Sequence, residues 1–316
     1  MTIRYEAELQ ELRRAGVIDD ATAARAMALD RGTVFSVFEE LRVALYVAVA
    51  LITTGIGILI KENLDRIGPV AVVVTLAVIA ALCYLNAIRL CLRGASRSLG
   101  GDYILLLGAL ILSTDVAYGE SQFHWLGGSW SWHLLILAGV HAVTAYALNS
   151  RLVLSVALTS LAGWFGVAHN TLDAPGIFGE LRQLGGRALL CAAVITVVRW
   201  LHTRSVARRD FTEVFDHFAT NLAFWGALAW CGDPLLRWVG VPLLTALAAV
   251  SILKGLRRRQ EIFVVYGILY AAMGYSKVVH QLIQAALGSS IIVLLIVLGA
   301  ATLLWKLHGR LKESAL

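Results

Sequence analysis

About ten apolar stretches, each roughly 17–22 residues long, make up most of this 316-residue chain. A helix of that length crosses the ~30 Å hydrocarbon core of a bilayer at about 1.5 Å per residue. Only 15% of the residues are charged, against about 25% in soluble domains. A water-soluble fold is excluded, and the sequence predicts an all-α polytopic membrane protein of about ten transmembrane helices. The predicted spans are 43–60, 68–88, 103–120, 132–149, 151–169, 187–203, 214–231, 238–254, 262–284 and 289–307.

Positive charge alternates between the loops that join these stretches. Arginine and lysine number 21 on the N-terminus, the C-terminus and every second loop, against 5 on the other loops. Because these residues resist translocation, the rich side is predicted to be cytoplasmic. Both termini are then predicted to lie on the cytoplasmic side of a cell membrane of the bacterial inner-membrane type. Beyond Arg42 the rich side holds Arg89, Arg93, Arg97, Arg151, Arg199, Arg204, Arg208, Arg209, Lys254, Arg257, Arg258, Arg259, Lys306, Arg310 and Lys312, and the poor side holds Lys61, Arg66, Arg182, Arg187 and Arg237.

The first 40 residues read as a small cytoplasmic helical hairpin. Gly16 suits a helix end in the left-handed conformation, and Asp19 or Asp20 can cap a second helix. Two short helices bury little surface, so we expect this module to pack on a partner protein, a second copy or the cytoplasmic loops. The predicted domains are this hairpin at 1–40, a transmembrane bundle at 41–309 and a cytoplasmic tail at 310–316.

Three segments carry a family resemblance. They are LQELRRAGVIDDATAARAMA, then GIGILIKENLDRIGP at the end of the first span, and VAYGESQFHWLGG at the end of the third. The most specific parts are Asn63-x-Asp65-Arg66-x-Gly68 and Gln122-Phe123-His124. Over about residues 5–150 the chain resembles a family of uncharacterised bacterial membrane proteins, classed as a domain of unknown function. The resemblance implies a membrane fold and brings with it no activity, substrate or cofactor.

Ionisable side chains inside the third span are the first candidate functional residues. A charge at the centre of a bilayer costs about 3 kcal/mol or more, so such residues tend to be retained for function. Asp115 shares one helix face with Tyr118 and Gln122, while Glu120 and His124 lie at the outer end of the span. We interpret these five residues as one half of a binding site for a small molecule or an ion.

The ninth span carries the other half of this predicted site. Tyr270, Lys277 and Gln281 lie on one stripe, with His280 beside it. Lys277 lies about 22 Å along its span, and Asp115 about 20 Å along the parallel third span. The two charges therefore share a level in the outer half of the bilayer. The sequence predicts an ion pair between them, with structural fixing of helix register as the alternative.

A polar cavity on the outer side is expected around this pair. His169 and Asn170 end the fifth span on the same side, so spans three, five and nine would line the cavity. His124 and His133 are a weak signal for a metal, and we predict neither a metal nor another cofactor. The phosphate, dinucleotide and zinc-protease motifs are absent from the sequence. Nucleic acid is not expected as a partner either, because the positive charge is spread over short loops beside the lipid bilayer.

Three function classes remain open from the sequence. The leading hypothesis is a transporter or permease, with proton linkage through Asp115, whose protonation would release Lys277. The second is a non-catalytic scaffold or sensor whose N-terminal hairpin docks a partner. The third is a membrane enzyme acting on lipid or polyprenyl substrates, which would need a metal or paired carboxylates at the head-group level on one side. The sequence offers little for such a site, because Asp102 lies on the inner side while Asp115 and Glu120 lie towards the outer one.

Overall fold

The computed structural model describes residues 38–92, 99–125, 132–166, 177–205, 209–282 and 286–313. Nearer the N-terminus it describes residues 13, 16, 19, 20, 22 and 23. These ranges contain ten α-helices and no strand, which confirms the all-α prediction. The helices follow the order of the ten predicted spans. They are α1 (Phe38–Ile67), α2 (Pro69–Leu92), α3 (Leu99–Phe123), α4 (Trp132–Leu148), α5 (Arg151–Trp164), α6 (Ile177–Ser205), α7 (Arg209–Gly232), α8 (Arg237–Arg258), α9 (Glu261–Leu282) and α10 (Ala286–Glu313).

Six helices in the described ranges are long and apolar enough to cross a membrane, namely α1, α2, α3, α6, α8 and α9. By length and composition, the chain is therefore a multi-pass membrane protein. Helices α4 and α5 have 17 and 14 residues, or about 26 and 21 Å, and α7 begins with a charged segment. The ten-span count and the cytoplasmic position of both termini stay predictions.

Large apolar side chains face outward along these helices. Leu51 of α1 is 67% exposed and Val143 of α4 is 71% exposed, and similar residues recur on α2, α6 and α8. Contiguous exposed apolar surface of this extent is rare on soluble monomers and fits contact with lipid tails. The exposed apolar side chains thus agree with the prediction, made from composition, that these helices lie in a membrane.

The chain divides into two compact units, each described here by itself. The large unit is Arg42–Leu236, and the small unit combines Met1–Leu41 with Arg237–Leu316. In the large unit, consecutive helices pair as α2–α3, α4–α5 and α6–α7, and α5 also contacts α3 and α7. In the small unit α9 packs against both α8 and α10. The predicted domain division at residues 40 and 309 stays a prediction.

The core of the large unit joins six of its helices. It combines branched aliphatic and phenylalanine side chains with alanine and cysteine, whose small size lets helix backbones approach closely. The tightest approach is between α6 and α7, where a Cβ atom added to Gly226 would lie 2.8 Å from the carbonyl oxygen of Gly185. The buried members of this core are Ala87, Leu105, Ala109, Ala145, Val153, Leu154, Leu158, Cys191, Ala192, Ile195, Phe211, Phe215 and Leu222.

Near the N-terminus the described residues form a turn and a helix cap. Gly16 has φ +69°, the left-handed conformation expected for it. The Thr22 amide donates to Asp19 Oδ1 at 2.9 Å, so Asp19 is the capping residue. Hydrogen bonds from the Thr22 side chain and backbone lower the pKa of Asp19. This cap is present when Asp19 is ionised and is lost as pH falls through that lowered pKa. Most of the hairpin predicted at 1–40 lies outside the described residues.

Candidate functional site

Asp115 lies eight residues before the end of α3, on the inward face of the helix. Its side chain is 7% exposed, and its Oδ1 atom is buried without a hydrogen-bond partner in the described part of the chain. Ile111, one turn earlier on this face, packs against Val72 and Leu76 of α2. A carboxyl group is thus held beside an apolar helix interface, where polar groups without partners are costly and uncommon.

Ser113 and His141 form a polar contact on the opposite face of α3. Ser113 Oγ lies 2.9 Å from His141 Nε2 of α4 and donates to the carbonyl oxygen of Ala109 at 2.9 Å. Because the hydroxyl has one proton, both contacts are satisfied when Nε2–H of the imidazole donates to Ser113. His141 is fully buried, and its Nδ1 atom has no partner within the described ranges. Polar groups therefore line both faces of α3 at this level.

The remaining predicted residues of the third span do not share one environment. Tyr118 packs against the apolar cluster around Leu76, and its hydroxyl is buried without a partner in the described residues. Glu120 is 3% exposed, whereas Gln122 and His124 are exposed at the end of α3. The structure therefore places Asp115, Tyr118 and Glu120 inside the large unit and leaves the last two at its surface.

Lys277 lies in the small unit, five residues before the end of α9. It lines a cleft of about 530 Å³ between α9 and α10. Ser276 and His280 of α9 line the same cleft, and the α10 wall is apolar. The Ser276 hydroxyl oxygen is buried without a partner among the described residues. This cleft joins a cation to an aliphatic wall.

The other predicted residues of the ninth span are engaged. Gln281 Oε1 accepts a hydrogen bond of 2.7 Å from Arg237 Nη2 at the start of α8. Tyr270 is 9% exposed, and its ring centroid lies 6.4 Å from that of Tyr266. Gln281 is therefore committed to a contact that joins the ends of two helices.

The predicted ion pair joins residues of two units, Asp115 of the large one and Lys277 of the small one. Each unit is described by itself, so this pair and the cavity expected between spans three, five and nine stay predictions. His169 and Asn170, expected to line that cavity, lie outside the described residues. Asp102 falls in the first turn of α3.

An ion pair that the sequence reading missed lies between α6 and α7. Arg199 Nε is 2.5 Å from Asp216 Oδ1, and Arg199 Nη2 donates to Asp216 Oδ2 at 3.2 Å. The two side chains are 23% and 10% exposed. Arg199 was counted as a loop charge, yet it lies six residues inside α6, and Asp216 lies seven residues inside α7. Matched depth on two neighbouring helices was the signal that could have identified this pair.

Aromatic residues surround a buried histidine at the same end of the large unit. His202 Nδ1 lies 2.8 Å from the hydroxyl of Tyr146, and His202 is 5% exposed. Its ring stacks on Phe211 with centroids 6.1 Å apart and an interplanar angle of 25°. Phe215 lies on another side of the ring at 5.6 Å. These contacts fix the ends of α4, α6 and α7 together.

No group of three or more histidine, cysteine, aspartate or glutamate residues in the described ranges is arranged to hold a metal ion. The apolar helices define the class of this protein, a helical multi-pass membrane protein.

Residues 10–154 match the model of a family described as "Predicted membrane protein (DUF2157)", a family of unknown function, which confirms the resemblance drawn from the sequence. Neither the curated proteins nor the solved structures contain a match to this chain.

Proposed function

We propose that this chain is a multi-span, proton-linked transporter in which Asp115 binds and releases the coupling proton. The observation that carries the proposal is the buried Oδ1 atom of Asp115, which has no hydrogen-bond partner in the described part of the large unit. Ionisable groups inside transmembrane helices commonly belong to proton relays and substrate pathways. A side chain that served as structural glue would be expected to have its partner in place.

The neighbours of Asp115 suit a proton-binding role. The Ser113–His141 contact lies within one turn on the other face of α3, and Tyr118 brings a hydroxyl one turn towards the outer end. Hydroxyl and imidazole groups can both donate and accept a proton. Together with Asp115 they place exchangeable protons along α3. The predicted Asp115–Lys277 pair would add a partner that protonation of the carboxylate releases.

Proton binding by Asp115 can be tested without knowing the substrate. Infrared difference spectra of the protein in lipid, recorded over a pH titration, should contain a carboxylic acid C=O band that Asp115→Asn removes. Glu213→Gln is the matched control, because it changes a half-exposed carboxylate of α7 and should leave that band in place. A titrating band that survives in Asp115→Asn would exclude this residue as the proton site.

Transport itself needs a separate measurement. Proteoliposomes on a solid-supported membrane would be challenged with amino acids, sugars, nucleosides and organic anions, and the solute-evoked current recorded. We expect a current that Asp115→Asn abolishes and Glu213→Gln retains. Lys277→Met and the double variant test the predicted pair. Unchanged currents in Asp115→Asn, Lys277→Met and the double variant would remove both residues from the mechanism.

A scaffold or sensor role is the second candidate. The observation that favours it is the defined turn and cap near the N-terminus, formed by Gly16, Asp19 and Thr22. In this reading the N-terminal hairpin docks a partner protein and the helices anchor it. Deletion of residues 1–32 should abolish capture of a partner and leave solute-evoked currents unchanged. Loss of the currents with partner capture intact would argue against the docking role.

A further inference from the structure

The cleft between α9 and α10 has a polar end and an apolar end. From the end of α9, His280, Lys277 and Ser276 lie about 3, 8 and 9 Å inward at the helical rise. From the start of α10, Val293 and Val297 lie about 10 and 16 Å inward. These residues line one cleft of about 530 Å³. Polar groups thus lie nearer the helix ends, and aliphatic side chains lie deeper.

Positive charge is concentrated at one end of helices α8, α9 and α10. Helices α8, α9 and α10 contain two acidic residues, Glu261 and Glu313. Glu261 begins α9 and Glu313 ends α10, so both lie at the end opposite Lys277. The Arg237 guanidinium donates a hydrogen bond to Gln281, which lies one turn beyond Lys277 on α9. Two cations therefore share this end without an acidic residue of α8, α9 or α10 beside them.

We propose that this cleft binds one membrane lipid with an anionic phosphate head group. The phosphate would contact the Lys277 ammonium, with Ser276 and His280 as further hydrogen-bond donors. One acyl chain would lie along Val293, Leu294 and Val297. The Ser276 hydroxyl, buried without a partner in the described part of the chain, then gains an acceptor.

The depth of Lys277 agrees with a lipid head group as the occupant. A lysine within about 8 Å of a helix end can extend its ammonium to the head-group level, where it can contact an anionic lipid phosphate. A soluble anion would use the cation and leave the aliphatic wall uncovered, whereas a lipid covers both. This inference rests on residues of the small unit alone. It assigns the Lys277 ammonium to the lipid phosphate in place of the predicted pair with Asp115, and it does not depend on proton binding by Asp115.

Native mass spectrometry of the full-length protein in detergent tests the proposal. Phosphatidylglycerol is titrated in, phosphatidylcholine serves as the neutral comparison, and glycerol-1-phosphate is added as a competitor without an acyl chain. We expect one phosphatidylglycerol to bind more tightly than phosphatidylcholine, and Lys277→Met to weaken it by about tenfold, as loss of a charge-assisted contact does. Lys306→Met is the matched control on α10 and should bind as the parent protein does.

A second variant separates lost binding from lost folding. Leu294→Trp fills the cleft without changing charge, since Leu294 is 57% exposed and its replacement disturbs little packing. It should weaken phosphatidylglycerol while the thermal unfolding temperature stays unchanged. Three results would overturn the proposal: unchanged binding in Lys277→Met and Leu294→Trp, equal binding of the two lipids, or displacement of the lipid by equimolar glycerol-1-phosphate. The last result would identify a soluble anion as the ligand.

Discussion

Arg199 and Asp216 illustrate how a charged pair is kept inside this helix bundle. Both side chains are largely buried and make two contacts with each other, so each neutralises the other away from water. Arginine suits this position because its planar guanidinium can meet a carboxylate with two N–H groups. Removing one partner leaves the other charge buried and uncompensated, which is far more costly than exchanging both.

Asp216→Asn should therefore destabilise the protein strongly. We expect a loss of about 3–5 kcal/mol in the free energy of unfolding, the range measured when one member of a buried pair is removed. Thermal and denaturant unfolding in detergent, followed by tryptophan fluorescence, would measure this change.

The matched control is Glu213→Gln on the same helix. Glu213 lies 3.5 Å from Arg151, but both side chains are about half exposed. A surface pair of this kind contributes about 0–1 kcal/mol. Equal destabilisation by both variants would mean that burial does not set the strength of the Arg199–Asp216 contact.

At the scale of the helices, close backbone approach holds α6 against α7. A Cβ atom on Gly226 would lie 2.7 Å from Leu189 Cγ and 2.8 Å from the backbone oxygen of Gly185. The backbone oxygen cannot move without shifting α6. Glycine at residue 226 is therefore required by the neighbouring helix, and the two helices can share a continuous buried interface.

Gly226→Ala should destabilise the protein by about 1–3 kcal/mol, the usual effect of overpacking in a close-packed interior. Gly139→Ala on α4 is the control, because a Cβ atom there meets nothing within 4 Å. That change should be neutral or should stabilise by up to about 1 kcal/mol, since alanine favours helix. Unfolding midpoints of the two variants would be compared in one detergent. A midpoint unchanged by Gly226→Ala would contradict the close approach.

The helices were largely predictable and the contacts between them were not. Apolar length alone located the ten helices of the described ranges, because each stretch must satisfy its backbone hydrogen bonds internally within lipid. Their ends were less predictable. Helix α1 continues through Asn63 and Asp65 to Ile67, since a helix does not stop where hydrocarbon stops. The predicted sixth span, 187–203, contained Arg199, but the sequence reading counted this residue with the loop charges and did not pair it with Asp216.

The candidate site shows the same division. Asp115 was identified as an ionisable residue in an apolar span, and its burial agrees with that reading. Its proposed partner was chosen by depth alone, and depth does not tell which helices are neighbours. The cleft that Lys277 shares with α10 and the contact of Gln281 with Arg237 depend on helix packing, which single-span periodicity does not encode.

For the whole molecule, contacts at one end of the large unit bear on the number of membrane crossings. Tyr146 near the end of α4 contacts His202 near the end of α6, and Arg151 at the start of α5 contacts Glu213 near the start of α7. The α4–α5 and α6–α7 junctions therefore lie at one level. A six-crossing topology, with α4, α5, α7 and α10 not crossing, would place these junctions on opposite sides. The contacts thus argue against this six-crossing arrangement, and the ten-span count stays a prediction.

Fusions of alkaline phosphatase distinguish the two topologies. With ten crossings and an inside N-terminus, we expect a fusion after Asn149 to be inactive, one after Pro234 to be active and one after Gln260 to be inactive. Six crossings predict the reverse at all three sites. Fluorescence of green fluorescent protein at the same sites is the reciprocal control. An active fusion after Gln260 would also place Arg257, Arg258 and Arg259 outside, against the positive-inside rule.

The Arg199–Asp216 contact also has a consequence for how the chain is made. Four of the first eight residues of α7 are charged, namely Arg209, Asp210, Glu213 and Asp216. Alone, such a segment is a poor substrate for release from the translocon into lipid. When α6 is already beside α7, Arg199 neutralises the charge of Asp216, and the two helices pack closely where Gly226 meets Gly185. We expect the ribosome to deliver these two helices as one insertion unit, which leaves the protein-conducting channel as a preassembled hairpin.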